Sequence, residues 1–248
     1  MSLHVETLGS GPDLVLLHGW GMNAAVWEEV AGALDRGFRV HLVDLPGHGA
    51  SPLEGPFELE AVTGALLAAL PERAAWVGWS LGAMLALAAA ARAPERVDQL
   101  VLVAANPRFV ADGEWPGMPA GVLAEFAAAL ARDEAATLGR FLALVARGSA
   151  DRSVLRRLRA LRGPVEPAAL AGGLRILAEA DLRPLLPALR QPLLLIRGGG
   201  DALVPGEAAP ATAALAPEAK VTGWPDTGHA PFLARPQAFV EALEDFLQ

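Results

Sequence analysis

Short, unbroken runs of apolar residues recur along the chain, each bounded by Gly, Pro, Asp or Asn. Between them lie Ala- and Leu-rich stretches with polar residues at helical spacing. Unbroken apolar runs fit strands buried on both faces of a sheet, and the stretches between them fit helices laid over those faces. The expected strands are Asp13–His18, Arg39–Asp44, Ala74–Trp79, Gln99–Ala104, Pro192–Arg197 and Lys220–Gly223, with an edge strand at His4. Helices are expected over Ala24–Leu34, Leu59–Leu70, Leu81–Ala91 and Pro236–Phe246. This alternation predicts an α/β fold with a mainly parallel central sheet flanked by helices. After Asn106 the alternation stops, and from Arg108 to Arg190 only amphipathic helical segments divided by Gly and Pro follow. Residues 1–107 and 191–248 therefore read as one core, and 108–190 as an inserted helical lid. Such an insertion would stand at the carboxyl edge of the sheet, where open α/β sheets bind ligands. A helical packing layer with no part in binding is the plainer alternative.

Composition narrows the picture. A length of 248 residues suits one core with room for an insertion. The apolar runs at 14–17 and 100–105 fall far short of the ~18 residues of a membrane helix, so no membrane partner is expected. MSLHVETLGSG lacks the basic start and apolar stretch of a secretory signal. A cytoplasmic monomer is the expectation. The chain has no cysteine, so any nucleophile is an oxygen or an amine. Its net charge of −8 argues against a nucleic-acid partner. Neither metal-ligand spacing nor a phosphate loop is present, and no cofactor is expected.

Gly78-Trp79-Ser80-Leu81-Gly82 follows one expected strand and precedes one expected helix. That is the context of the G-x-S-x-G nucleophile elbow, a turn tight enough to need small residues around the serine. A serine hydroxyl needs a base within hydrogen-bond reach. Among the five histidines, His4 and His41 fall in strands, His48 in Pro46-Gly47-His48-Gly49, and His18 in His18-Gly19-Trp20-Gly21. His229, in a loop between the last strand and the last helix, is the candidate base. The acid should lie between serine and histidine in sequence, at a strand's carboxyl end. Asp201 meets both conditions, and Asp226, on the histidine's own loop, is its rival. The turn at Trp20 and the start of the helix at Leu81 would supply backbone N–H groups to an oxyanion. The Trp20 ring either walls an acyl pocket or simply packs in the core. Asp44 to Ser51 reads as structural turn chemistry.

HGWGMNAAVW, HLVDLPGHGAS, WVGWSLG, NPRFVADGEWPGMPAGVLAEF, RFLAL and HAPF together resemble the pimeloyl-acyl carrier protein methyl ester carboxylesterases of biotin synthesis, over nearly the whole chain. The resemblance implies an α/β-hydrolase fold, a triad of Ser80, Asp201 and His229, and an oxyanion hole at Trp20 and Leu81. It also implies a substrate site at Trp20, Ser80, Leu81 and His229 with Phe141, Leu142, Ala143, Leu144 and Val145 along an acyl channel. The implied reaction removes the methyl ester from a pimeloyl chain held on acyl carrier protein.

Charge points the same way. From Arg140 to Arg162 there are seven arginines and one acid, a net of +6 that leaves −14 on the rest of the chain. Arg152, Arg156 and Arg159 are expected on one helical face at i, i+4 and i+7, with Leu155, Leu158 and Leu161 toward the core. With Arg140 they form the expected carrier-protein surface. Three alternatives stay open: a short-chain esterase or lactonase without a carrier, a haloperoxidase or carbon–carbon hydrolase sharing the triad, and a non-enzymatic ligand-binding protein.

Overall fold

The computed structural model describes all 248 residues. Seven strands form one sheet: β1 (Val5–Gly9), β2 (Asp13–Leu17), β3 (Arg39–Val43), β4 (Ala74–Trp79), β5 (Val97–Val103), β6 (Leu193–Gly198) and β7 (Lys220–Trp224). Their spatial order is β1-β3-β2-β4-β5-β6-β7. β1 runs antiparallel to β3, and every other pair is parallel. The expected strands stand within two residues of their expected bounds, although His4 lies one residue outside β1.

Period-two alternation along the apolar runs sorts the core into two layers. Val15, Leu17, Trp76, Leu100, Leu102, Leu193 and Leu195 face one layer. Leu14, Leu16, Val77, Val101, Val103, Leu194 and Ile196 face the other. Helices α2 (Leu59–Ala69), α3 (Leu81–Arg92) and α8 (Ala208–Leu215) cover the first, and α1 (Glu28–Leu34) and α10 (Pro236–Leu247) the second. A short helix, α9 (Pro231–Ala234), precedes α10. Because the strands are parallel, the loops bearing Trp20, Ser80, Asp201 and His229 all leave the same edge.

Between β5 and β6 the chain builds α4 (Ala120–Arg132), α5 (Glu134–Ala146), α6 (Val154–Ala160) and α7 (Pro167–Glu179). This insertion is entered and left at one point. Leu182 N–H donates to the Pro107 carbonyl at 2.9 Å. Arg108 Nη1 donates to the carbonyls of Ala178, Glu179 and Ala180, which end α7. Arg183 pairs with Asp112 and Asp181 at 2.6 Å and lies over the Trp115 ring. No helix is long and apolar enough to cross a membrane.

Candidate active site

β4 ends in Trp79, and the chain turns at once into α3. Ser80, at the turn, has φ 55° and ψ −114°, a left-handed backbone that a residue with a Cβ rarely adopts. The flanking glycines make the turn possible. A Cβ at Gly78 would come within 2.4 Å of the Gly82 carbonyl, and one at Gly82 within 2.5 Å of the His18 carbonyl. Ser80 N–H donates to Val103 O at 2.9 Å, which ties the elbow to β5.

After β6, Asp201 turns its carboxylate inward, with its side chain only 4% exposed. Oδ1 accepts the N–H groups of Leu203 at 2.8 Å and Val204 at 3.0 Å. Oδ2 lies 2.7 Å from His229 Nδ1. A carboxylate only accepts, so Nδ1 carries a proton, and in the neutral imidazole Nε2 is the nitrogen with the lone pair. Nε2 is buried and has no hydrogen-bond partner. The structure thus joins His229 to Asp201 and leaves the Ser80 hydroxyl unbonded to either. The His229 carbonyl accepts Trp79 Nε1–H at 2.7 Å, so the residue before Ser80 holds the histidine loop.

The rival acid is occupied elsewhere, since Asp226 forms a two-pronged ion pair with Arg235 that holds its carboxyl below its usual range. The other histidines are bound too. His18 Nδ1–H donates to Gly19 O at 2.8 Å while its Nε2 accepts Leu45 N–H at 3.0 Å. His48 Nδ1 lies 2.9 Å from Pro46 O. His41 Nε2 lies 2.6 Å from Asp13 Oδ1. His4 Nδ1 lies 3.3 Å from Asp44 Oδ2. Asp44 also accepts the N–H groups of Ala24 and Ala50, clamping the turn after β3.

The His18-Gly19-Trp20 turn packs against the elbow, where a Cβ at Gly19 would lie 3.3 Å from Ser80 Cβ. Trp20 N–H donates no hydrogen bond within the chain. Leu81 N–H opens α3, where no earlier helical carbonyl can accept it. The buried Trp20 ring meets Phe141 edge-on at 4.9 Å and Phe126 at 5.6 Å, and its Nε1–H donates to Leu170 O at 2.8 Å. Trp20 also borders a cavity of ≈ 250 Å³ with Phe109, Phe126, Phe141, Leu144 and Leu177, so it both packs and lines. Ser80, Leu81 and His229 do not border this cavity.

Two expectations need correction. Of the run Phe141–Val145, only Phe141 and Leu144 reach the cavity, while Leu142 and Val145 are buried in the core and Ala143 is exposed. Five consecutive helical residues point around the whole axis, so they cannot share one wall. Arg152 is not on the helix with Arg156 and Arg159. Asp151 accepts both N–H and Oγ–H of Ser153, forming a turn that holds Arg152 ahead of α6. Leu158 is buried, but Leu155 and Leu161 are only partly so. Arg140, Arg152, Arg156 and Arg159 are all exposed, and none has an acidic partner within 4.0 Å. Arg157, by contrast, pairs with Glu29 and donates to Leu233 O. A surface groove of ≈ 650 Å³ lined by Arg140, Arg147 and Arg152 shares Arg140 and Leu144 with the cavity.

Sequence reading missed the far wall of the cavity. Val122, Leu123 and Phe126 of α4 and Leu174 and Leu177 of α7 supply it. Their i, i+3, i+4 spacing marks an apolar stripe but not that the stripe faces a hollow.

The α/β-hydrolase fold family matches residues 12–236. A pimeloyl-[acyl-carrier protein] methyl ester esterase from Nitrosomonas europaea is 47% identical over 248 residues, covering 98% of both chains. One of the same name from Aeromonas hydrophila is 46% identical, covering all of both. Among solved structures, an esterase from Exiguobacterium antarcticum superposes with a TM-score of 0.92 at 23% identity, covering 99% of this chain and 95% of its own. That likeness concerns the fold alone. With full-length identity of this order, the chain is a carboxylic ester hydrolase of the α/β-hydrolase family and belongs among the pimeloyl-[acyl-carrier protein] methyl ester esterases.

Proposed function

We propose that Ser80, His229 and Asp201 form the catalytic triad and that the ester cleaved is the methyl ester of a pimeloyl chain on acyl carrier protein, in biotin synthesis. The buried Asp201–His229 hydrogen bond beside the strained elbow carries the chemical part of this reading. Nε2 takes the Ser80 proton as Oγ attacks the ester carbonyl, and the oxyanion receives the N–H groups of Trp20 and Leu81. Collapse of the tetrahedral intermediate expels methanol, which leaves with the proton held on Nε2. Water then attacks the acyl-enzyme, giving up a proton to Nε2, which passes it to Ser80 Oγ as the acyl bond breaks; the carboxylic acid released loses its own proton to solvent.

The names of the relatives support the carrier-bound substrate. So do an apolar cavity bordered by Trp20 and four exposed arginines without acidic partners on a chain that is otherwise acidic. Arg140, Arg152, Arg156 and Arg159 would meet the acidic carrier, and the insertion would act as a lid. The deciding experiment compares kcat/KM for methyl pimeloyl-carrier, free dimethyl pimelate and a short aryl ester. A strong preference for the carrier-bound ester is expected. Equal turnover of all three would leave a general esterase.

A further inference from the structure

The His229 loop is held by the insertion as well as by the core. Its hydrogen bonds to the core are those of Trp79 to the His229 carbonyl, Gly200 N–H to the Thr227 carbonyl, His229 Nδ1–H to Asp201 and Arg235 to the Asp226 carboxylate. Three others go to the segment that leaves α5. His229 N–H donates to Val145 O at 3.1 Å, Ala150 N–H donates to Asp226 O at 2.9 Å, and Gly228 N–H donates to Ser149 Oγ at 2.9 Å. The same segment touches the acid's loop, since a Cβ at Gly148 would stand 1.9 Å from the carbonyl of Gly200, the residue before Asp201. Residues 145–150 are thus wedged between the two loops. Within this set Ser149 is the only side chain of the segment that bonds the histidine loop.

That arrangement has a chemical consequence. Nδ1 is fixed by Asp201, but a ring held at one nitrogen can still swing, and where Nε2 points depends on the backbone carrying the ring. Nε2 is unpartnered and Ser80 is not bonded to it, so neither anchors the other. We propose that Ser149 is a positioning residue for His229: by accepting Gly228 N–H it fixes the backbone one residue before the imidazole, and so the approach of Nε2 to Ser80. The proposal rests on the reading of Ser80, His229 and Asp201 as the triad. Ser149 touches neither substrate nor reacting atoms. Its effect therefore falls on the chemical step and not on ester binding, because small displacements of a base cost rate steeply.

The test uses the full chain, p-nitrophenyl acetate turnover and inactivation by a fluorophosphonate, none of which involves a carrier. Ser149→Ala should lower both kcat and the inactivation rate by about tenfold or more, with KM changed by less than about twofold. Ser149→Thr, which keeps the hydroxyl, should recover most of both rates. Should Ser149→Ala fail to fold, the nearly isosteric pair Ser149→Thr and Ser149→Val, differing in the hydroxyl, decides in its place. Rates within about twofold of wild type in Ser149→Ala overturn the proposal. Equal losses in the Thr and Val variants also overturn it, since the hydroxyl would then be irrelevant. Ser80→Ala and His229→Ala separate the positioning role from the triad on which it rests. If both retain wild-type turnover the triad reading fails, whereas if both are inactive and Ser149→Ala is unchanged, only the positioning role fails.

Discussion

Ser80 adopts its left-handed backbone because Gly78 and Gly82 carry no side chain that would block the turn, and the turn sets the hydroxyl at the end of the strand. On the proposed mechanism the hydroxyl carries the acyl group, so Ser80→Ala should lower ester turnover by several orders of magnitude with circular dichroism unchanged. The two aspartates give a sharper comparison. Asp201→Asn disturbs the tautomer of His229 and should cost on the order of 10³–10⁴-fold in kcat. Asp226→Asn loosens only its pair with Arg235 and should leave kcat near wild type. The elbow turn and the meeting of His229 with Asp201 were legible in the sequence because each depends on neighbours in the chain or on the end of a strand. Ser149 was not, since its partner Gly228 lies 79 positions away and an isolated serine in a loop carries no pattern. Buried histidines predict a separate effect. Burial pushes His48 from its ordinary 6.5 down to about 4, and burial with the neighbouring His48 lowers His18 as well. Both stay neutral in the fold while the unfolded chain takes up protons, so their contribution is whole above about pH 6.5 and shrinks on acidification. The His48 share, on the order of 3 kcal/mol, should be gone below about pH 4. Urea midpoints between pH 7.5 and 4.5 should fall in the wild type and fall less steeply in His48→Asn.

Helix α5 shows what a helix can and cannot present at once. Phe141 and Leu144 face the cavity while Leu142 and Val145 face the core beneath. Leu142→Ala should therefore cost about 2–5 kcal/mol of stability, read by denaturant unfolding. Leu144→Ala should cost less, because its side chain already borders open space, and should instead shift the preferred acyl chain length in a series of methyl esters. The inner part of the sheet was legible in detail because β2 to β6 are largely buried on both faces and read as unbroken apolar runs. The insertion was legible only as helices. Its apolar stripes have the same spacing whether they meet a core or a hollow, and the Asp151–Ser153 turn that shortens α6 is a local capping choice competing with a stretch of good helix formers.

Across the whole molecule, positive charge is gathered on one stretch of the insertion while the remainder carries a net −14. Exposed charges of this kind act chiefly on encounter rates and fade with salt. Reversing Arg152, Arg156 and Arg159 to Glu should lower kcat/KM for a carrier-bound ester and leave a small neutral ester almost unchanged. Added salt should bring the wild type toward the same behaviour, and loss on both substrates alike would point to damage in the insertion. The clasp at the neck of the insertion has an evolutionary consequence. A block whose two ends are already drawn together, as the Leu182–Pro107 hydrogen bond draws them here, can be traded for another of different length without opening the sheet. Substrate range in such a scaffold can then change by exchange of one module. The exchange here is not free, because the departing module takes with it the hydroxyl and carbonyl that steady the histidine loop. A chimera that keeps the neck but imports a foreign block should fold and yet stay slow until its newcomer supplies a replacement for that brace.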